Sequence, residues 1–381
     1  MDDDKNLKAA QNLPSGGRGA GLRIIIAGGG TGGHIFPAIA IANAIIKQEP
    51  KTEILFVGAK GKMEMEKIPQ AGFKIEGLDI AGFNRSSLIK NIGLPVKLLK
   101  SFFQVRRILK SFKPTAVIGV GGYSSFPVLR TAQANGIPTF IHESNSFAGK
   151  SNIMLGRKAK KIFVASDGMA KFFPGNKIMV TGNPVRLTIS KSVVGREEGI
   201  NFFGLDPAKK TVLSIGGSLG AKSINEALDK NLDLFEQNNL QLIWQTGKPY
   251  VEKAKHTAKN KAGMWVDDFI NQMEFAYAAA DLVISRSGAM AIAELCVMQK
   301  AVIFVPFPFA AEDHQTVNAQ NLVNKNAGVM IKDSDALIML VPSIIELSKN
   351  ENKQNELESN IGKLAASNAD EVIATEILKL I

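Results

Sequence analysis

The sequence predicts an α/β protein made of two doubly wound, Rossmann-like domains that face a central cleft. Short apolar runs alternate with longer helix-like stretches, as in βαβ units with a parallel sheet. This rhythm occurs twice along the 381 residues, and each half opens with a hydrophobic strand that runs directly into glycines, at 24–34 and at 212–221. Ligands of such sheets bind beyond the carboxyl ends of the strands, so the two glycine loops are expected to flank one cleft.

The apolar runs give the order of the elements. Predicted strands cover 22–27, 53–57, 115–120, 139–142 and 161–165 in the first half, and 211–215, 241–245, 281–285 and 301–306 in the second. Pro and Gly in 182–186, followed by the polar stretch 188–210, indicate a linker. We therefore expect a disordered leader at 1–21, an N-terminal domain at 22–186 and a C-terminal domain at 187–365, with a last helix at about 366–381 that packs back on the N-terminal domain.

The charge distribution favours an anionic partner. The formal net charge is +11, and no acidic residue lies between Asp79 and Glu143, a window that carries nine Lys and Arg residues. A single cysteine, Cys296, excludes an intramolecular disulfide and indicates a reducing, cytoplasmic compartment. No apolar run reaches the ~18 residues of a membrane-spanning helix, so any membrane contact is expected to be peripheral.

The first glycine loop fits phosphate recognition. Gly28, Gly30 and Gly33 follow a strand and precede a helix-like segment, a spacing that lets backbone amides approach a pyrophosphate. Binding of NAD(P) would also need an acidic residue at the end of the second strand, and residues 54–60 contain none. A further glycine cluster at 119–122 strengthens the case for a ligand cleft over a single tight turn.

Polar side chains follow several of the predicted strands. Three of the four histidines, His34, His142 and His314, stand at strand ends. His34 opens a helix, where the dipole favours a neutral ring that can take a proton. Glu294 follows a strand end and a glycine turn, where a carboxylate can accept hydrogen bonds from two vicinal ribose hydroxyls. No close-spaced set such as H-E-x-x-H or C-x-x-C is present, so no metal site is predicted.

Together these segments resemble the MurG family of glycosyltransferases. The resemblance runs from about Leu22 to beyond Gly328, and its parts are Gly-Gly-Thr-Gly-Gly-His at 29–34, the glycine cluster at 119–127, His-Glu-Ser-Asn at 142–145, Gly-Asn-Pro-Val-Arg at 182–186, Gly-Gly-Ser-Leu-Gly-Ala at 216–221, Ser-Arg-Ser-Gly-Ala at 285–289 with Glu294, and Asp-His-Gln-Thr-Val-Asn-Ala at 313–319. It implies a GT-B fold whose N-terminal domain holds a lipid acceptor and whose C-terminal domain holds a nucleotide sugar.

The resemblance also implies a reaction and a set of site residues. The reaction is inverting, cofactor-free and metal-independent transfer of GlcNAc from UDP-GlcNAc to the MurNAc 4-hydroxyl of undecaprenyl-pyrophosphoryl-MurNAc-pentapeptide, with His34 as the candidate base. The implied UDP-GlcNAc-binding residues are Thr31, Gly32, Gly33, Asn145, Arg186, Ser218, Ile270, Ala289, Met290, Ala291, Ile292, Ala293, Glu294 and Gln315. Further sugar or acceptor contacts are expected at Tyr123, His142, Glu143 and Asn318.

The basic window between Asp79 and Glu143 has two interpretations. In the first, apolar residues recur at helical spacing, as in an ordinary helix that packs on its own sheet. These residues are Leu94, Leu98, Leu99, Phe102, Val105, Leu109 and Phe112. In the second, apolar and basic residues of the window contact an anionic membrane surface, which would place the protein on the cytoplasmic face of the bacterial membrane. These residues are Phe83, Arg85, Leu88, Ile89, Lys90, Ile92, Lys97 and Lys100. Cell-wall synthesis proteins would then be further partners.

Two other functions compete. Nucleic-acid binding has little support, because the chain has three Tyr and two Trp and no aromatic-basic interleaving. Another GT-B enzyme, such as a UDP-GlcNAc epimerase or a lipid glucosyltransferase, would use the same glycine loops and Glu294.

Overall fold

The computed structural model describes residues 21–82, 93–217, 219–310 and 313–381. The predicted leader up to residue 20 lies outside the described residues. So do Ser218 and six of the predicted membrane contacts, namely Phe83, Arg85, Leu88, Ile89, Lys90 and Ile92.

The first half of the described chain forms a seven-stranded parallel sheet. Its strands are β1 (Arg23–Ala27), β2 (Glu53–Ala59), β3 (Lys74–Leu78), β4 (Ala116–Gly119), β5 (Thr139–Glu143), β6 (Lys161–Val164) and β7 (Ile178–Val180), in the order β3-β2-β1-β4-β5-β6-β7. The helices between them are α1 (Gly32–Gln48), α2 (Glu64–Gln70), α3 (Leu94–Phe112), α4 (Ser125–Ala134) and α5 (Lys150–Gly156). The order is that of a doubly wound sheet, with reversal at β1 and β4.

The second half forms a six-stranded parallel sheet by the same rule. Its strands are β8 (Lys210–Ile215), β9 (Leu240–Gln245), β10 (Met264–Asp267), β11 (Leu282–Ser285), β12 (Ala301–Phe304) and β13 (Val329–Met330), in the order β10-β9-β8-β11-β12-β13. The helices are α6 (Leu187–Ser190), α7 (Arg196–Phe202), α8 (Lys222–Asp229), α9 (Leu232–Gln237), α10 (Val251–Ala258), α11 (Met273–Ala279), α12 (Ala289–Val297), α13 (His314–Val323), α14 (Ala336–Lys349), α15 (Glu351–Gly362) and α16 (Ala369–Leu380).

The predicted fold class is confirmed, and the strands that the sequence did not reveal share one property. All nine predicted strands are present, whereas β3, β7, β10 and β13 were not predicted. These four are the outer strands of the two sheets. Their residues are largely half-exposed, as in Lys74–Leu78, unlike those of central parallel strands. The apolar strands β7 and β13 are only three and two residues long, too short to stand out as runs in the sequence.

The last helix returns to the first domain. Ile373, Ala374 and Ile377 of α16 are fully buried in the same core as Ile41 and Ile45 of α1. Outside this core, the Lys47 ammonium lies 2.8 Å from the Glu371 carboxylate. The chain therefore crosses between the two domains twice, once before β8 and once before α16.

Helix α3 has a buried side and an exposed apolar side. Val105, Leu109 and Phe112 are in the core, as a helix packing on its own sheet requires. Val96, Leu99 and Phe103 are 62–69% exposed, so the expectation that Leu99 belongs to the packed stripe is wrong. Within the described ranges, no helix combines the length and apolar character needed to cross a bilayer.

Candidate active site between the two domains

The first glycine loop carries the candidate base. Positive φ angles at Gly28, Gly29 and Gly30 turn the chain sharply after β1, and α1 begins at Gly32, so His34 lies in the first turn. Its Nδ1 atom lies 3.0 Å from the Gly29 carbonyl oxygen and 3.4 Å from the Thr31 hydroxyl. Because a carbonyl only accepts hydrogen bonds, the neutral ring carries its proton on Nδ1 and keeps a lone pair on Nε2.

The surface next to the His34 Nε2 lone pair is formed by the backbone of Gly121. Gly121 follows β4 with φ +96°, and a Cβ atom placed there would lie 2.7 Å from His34 Nε2. The two glycine loops contact each other directly, since the Gly29 amide donates to the Gly121 carbonyl at 3.2 Å. Glycine at 121 thus keeps side-chain atoms away from the reactive nitrogen. Nearby, Tyr123 is half exposed, and its ring lies against Gly82.

The end of β5 contributes two buried groups with different surroundings. His142 is 1% exposed, and burial, with the nearby His34 as a smaller cause, lowers its pKa to about 4. It is therefore neutral at physiological pH.

The Glu143 carboxylate accepts four hydrogen bonds, from the backbone and side-chain amides of Asn145, from the Gly149 amide and from the Asn152 side chain, at 2.8–3.3 Å. Glu143 thus holds the loop after β5 in place.

Asn318 on α13 joins the two domains through its side-chain amide. Its oxygen accepts from the Ser146 amide at 3.0 Å, and its nitrogen donates to the Asn145 side-chain oxygen at 3.4 Å and to the Ser287 carbonyl at 3.2 Å. The loops beyond β5 and β11 therefore meet in the cleft.

Asn183 in the linker makes a second bridge. Its side-chain nitrogen donates to the Ser144 carbonyl at 3.0 Å and to the Ala289 carbonyl at 3.4 Å. Its buried oxygen makes no hydrogen bond to another described residue. The linker thus fixes the first residue of α12 relative to the N-terminal domain.

The predicted ribose-binding carboxylate is already held by two donors. Glu294 on α12 is 6% exposed, and its Oε1 accepts from the Arg186 guanidinium at 2.7 and 2.8 Å. Its Oε2 accepts from the buried Tyr277 hydroxyl at 3.0 Å. Burial raises the pKa of Glu294, and the charge of Arg186 opposes that rise. Arg186 also lies over the Phe36 ring at 5.3 Å, so it connects α1 to the second domain.

The other predicted donor contacts lie around α12. Residues 289–293 form its first turns and are half-buried. Gln315 on α13 accepts from the Phe307 amide at 3.0 Å through its side chain and from the Ser287 hydroxyl at 2.8 Å through its backbone. Ile270 is buried just before α11. Thr31 is exposed at the start of α1, beside the half-buried Gly32 and Gly33.

Sequence reasoning missed three residues of this arrangement. Glu64, the first residue of α2, is 1% exposed and accepts a hydrogen bond from the Gly30 amide at 2.8 Å. Tyr277 and Phe36 contact Glu294 and Arg186, as described above. Glu64 lies in the charged segment 60–67 and Phe36 just after the first glycine loop, but none of the three belongs to a recognised phosphate-binding or sugar-binding motif, so the sequence did not single them out. The structure holds no group of three or more His, Cys, Asp or Glu side chains arranged for a metal ion within its described part.

Comparison with known families matches both halves of the chain. Residues 24–164 match the glycosyltransferase family 28 N-terminal domain, and residues 211–374 match the glycosyltransferase family 28 C-terminal domain. A curated relative from Phocaeicola vulgatus is 53% identical over 94% of this chain and 96% of its own length. One from Bacteroides fragilis is 51% identical over 96% of this chain and 97% of its own. Both are named UDP-N-acetylglucosamine--N-acetylmuramyl-(pentapeptide) pyrophosphoryl-undecaprenol N-acetylglucosamine transferase. The chain belongs to the MurG family.

Solved structures agree with the MurG assignment. The crystal structure of MurG from Acinetobacter baumannii matches with a TM-score of 0.77 and 30% identity, covering 94% of this chain and 99% of that one. A UDP-GlcNAc 2-epimerase from Neisseria meningitidis matches with a TM-score of 0.62 and 13% identity, over 94% of this chain and 99% of that one. The second likeness extends to the fold alone. The predicted GT-B architecture is confirmed.

Proposed function

We infer that this chain transfers N-acetylglucosamine from UDP-GlcNAc to undecaprenyl-pyrophosphoryl-MurNAc-pentapeptide in peptidoglycan synthesis. The observation that carries the inference is identity of about 50% over nearly the full length to transferases named for this reaction. The cleft supports it, because groups suited to a nucleotide sugar lie on the second domain and a free imidazole nitrogen lies on the first.

We propose that the C-terminal domain binds the donor. Glu294 would accept hydrogen bonds from the ribose hydroxyls, and the backbone at Ile270 would contact the uracil. The amides in the first turn of α12, together with Arg186, would face the diphosphate, since a helix N-terminus and a guanidinium both stabilise phosphate charge. Gln315, Asn145 and the 31–33 turn would contact the sugar and the acceptor side.

Because Arg186 is bonded to Glu294 in the described structure, donor binding is expected to change this contact. A carboxylate has about four lone-pair positions, and the bonds to Arg186 and Tyr277 occupy three of them. Two ribose hydroxyls would need one more position than remains. We therefore propose that Arg186 gives up at least one of its bonds to Glu294 and turns toward the diphosphate when the donor enters.

His34 is proposed as the base. Its Nε2 lone pair would take the proton of the MurNAc 4-hydroxyl as that oxygen attacks the anomeric carbon and the bond to UDP breaks, with inversion at that carbon. Negative charge then develops on the departing UDP, where Arg186 and the α12 amides would stabilise it. Since protein groups offset this charge, transfer is expected to continue in the presence of EDTA.

We propose that the protein reaches its lipid-linked acceptor as a peripheral protein on the cytoplasmic face of the membrane, through α3. Val96, Leu99 and Phe103 form an exposed apolar side, with the exposed Lys97 among them. Lys100 is a weaker candidate than the sequence suggested, because it lies 2.9 Å from Asp79, which also pairs with Lys60. Apolar insertion combined with a positive charge is how interfacial helices bind anionic lipid.

Two measurements test these proposals. UDP release from UDP-GlcNAc, with EDTA present, is expected only when a MurNAc-containing lipid pyrophosphate is added. Release without the acceptor would favour an epimerase or hydrolase of the same fold. For the surface, F103S and L99S together should reduce binding to anionic vesicles while leaving UDP-GlcNAc affinity unchanged, and unaltered vesicle binding would refute the role of α3.

A further inference from the structure

Glu64 is a buried carboxylate whose partners in the described structure are backbone amides. Its Oε2 accepts from the Gly30 amide at 2.8 Å, and its Oε1 accepts from the Ala59 amide at 3.0 Å. Among the described residues, none forms an ion pair with it. Such a group is costly to bury without a counter-charge, so its two hydrogen bonds must hold the backbone firmly. These bonds tie the first glycine loop, at Gly30, to the end of β2, at Ala59.

The geometry of one peptide links Glu64 to the candidate base. The Gly30 amide and the Gly29 carbonyl belong to the same peptide unit, which is trans. In a trans peptide the N–H and the C=O point in opposite directions. Glu64 therefore binds one side of this peptide, and His34 Nδ1 lies 3.0 Å from the oxygen on the other side.

Glycine at position 29 makes this approach possible. Gly29 has φ +147°, and a Cβ atom placed on it would lie 2.3 Å from the Glu64 carboxyl carbon. Any side chain at 29 would thus displace Glu64 from the peptide. The loop is shaped to admit the carboxylate.

We propose that Glu64 is a positioning residue for His34, acting through the Gly29–Gly30 peptide. The proposal rests on the proposed function, since it takes His34 as the base. Glu64 fixes the direction of the Gly29 carbonyl, which keeps the imidazole proton on Nδ1 and the lone pair on Nε2. A carboxylate that accepts from the amide also polarises the peptide, so the carbonyl oxygen becomes a better acceptor for the ring as it gains a proton.

The first test reads the imidazole directly, in the ligand-free protein. Long-range ¹H–¹⁵N correlation spectra distinguish the two neutral tautomers, and the chain has four histidines, so the His34 signals can be assigned by comparison with H34Q. In the wild type, Nδ1 should be protonated and Nε2 bare. In E64A, which lacks both acceptors, and in E64Q, whose amide can accept from only one of the two backbone donors, the population protonated on Nε2 should rise.

Matched variants keep the outcome clear. E66Q on the same helix changes an exposed carboxylate that contacts Lys67 and Gln70, and its His34 spectrum should match the wild type. Protonation of Nε2 in the wild type would overturn the proposal without any variant. So would an unchanged tautomer in E64Q, which keeps the shape of the side chain if E64A fails to fold.

The second test separates positioning from a structural role. E64Q should lower kcat about tenfold while the KM for UDP-GlcNAc stays within about twofold, as expected when a group orients a catalytic residue without touching the donor. An altered tautomer with unchanged kcat would overturn the catalytic part of the proposal. The tautomer is measured without substrate, so the spectroscopic result does not depend on transferase activity. Failure of the positioning proposal can therefore be distinguished from failure of the proposed function.

Discussion

The two edges of the cleft hold their functional side chains by different means. On the N-terminal edge, His34 is fixed by the neutral carbonyl of Gly29 and flanked by the backbone of Gly121. On the C-terminal edge, Glu294 is held by the charged Arg186 and by Tyr277. Backbone contacts fix direction without adding charge, which suits a group that must gain and lose a proton. A charged partner stabilises the ionised form of a buried carboxylate, which suits a group that binds hydroxyls.

Substitutions on the N-terminal edge are therefore expected to change turnover, and substitutions on the C-terminal edge are expected to change donor affinity.

The largest effect is expected for H34A. Removal of a general base lowers kcat by about 10²–10⁴-fold. Initial rates of acceptor-dependent UDP release at saturating donor would measure it. A kcat within about threefold of the wild type would show that the ring only positions the acceptor.

The next effect is expected for E294Q. The glutamine presents a single neutral acceptor oxygen to the two ribose hydroxyls, and hydrogen bonds to charged groups contribute about 1.5–3 kcal/mol. The KM for UDP-GlcNAc should rise by about 10–100-fold, with a smaller change in kcat. E356Q on α15 changes an exposed carboxylate that pairs with Lys353 and should leave KM unaltered. If E294Q raised KM no more than E356Q, Glu294 would not bind the donor.

A stability change with pH should be traceable to His142 on the N-terminal edge. Its pKa of about 4 in the folded state, against an ordinary 6.5, means that the unfolded chain binds the proton first as the pH falls. Stability is thus lost from about pH 6.5 downward, and this group should account for about 2 kcal/mol between pH 7 and pH 5. Urea denaturation at both pH values should show this loss in the wild type and not in H142L. H256Q, which removes an exposed histidine of α10, should behave as the wild type.

The smallest effect is expected for G121A. Its comparison with G136A separates the cost of backbone strain from the effect of a side chain placed next to His34. G121A adds a methyl group beside His34 Nε2 at a positive φ, whereas G136A adds one at a positive φ with open space around it. Both should lose about 1 kcal/mol of stability from strain. G121A alone should also lower kcat, by about tenfold, and an equal kcat in the two variants would argue against an approach of the acceptor along Gly121.

How much the sequence could predict depended on whether a residue belongs to a pattern. Central strands such as β4 and β12 are continuous apolar runs and were predicted, whereas the outer strand β3 has mixed burial and was not. The glycine loops stand directly after strands and Glu294 lies on the helix that follows β11, so their position at the carboxyl ends of the strands followed from the topology. The Arg186–Glu294 pair joins residues 108 positions apart, and Glu64 reaches its loop across 34, and no local spacing encodes such contacts.

Calorimetric titration of UDP-GlcNAc into H34A tests most directly whether the N-terminal edge acts in turnover and the C-terminal edge in donor binding. The dissociation constant is expected to stay within about twofold of the wild type, because His34 acts on the acceptor hydroxyl and Glu294 binds the donor. A loss of donor affinity of tenfold or more would contradict it, since His34 would then belong to the donor site.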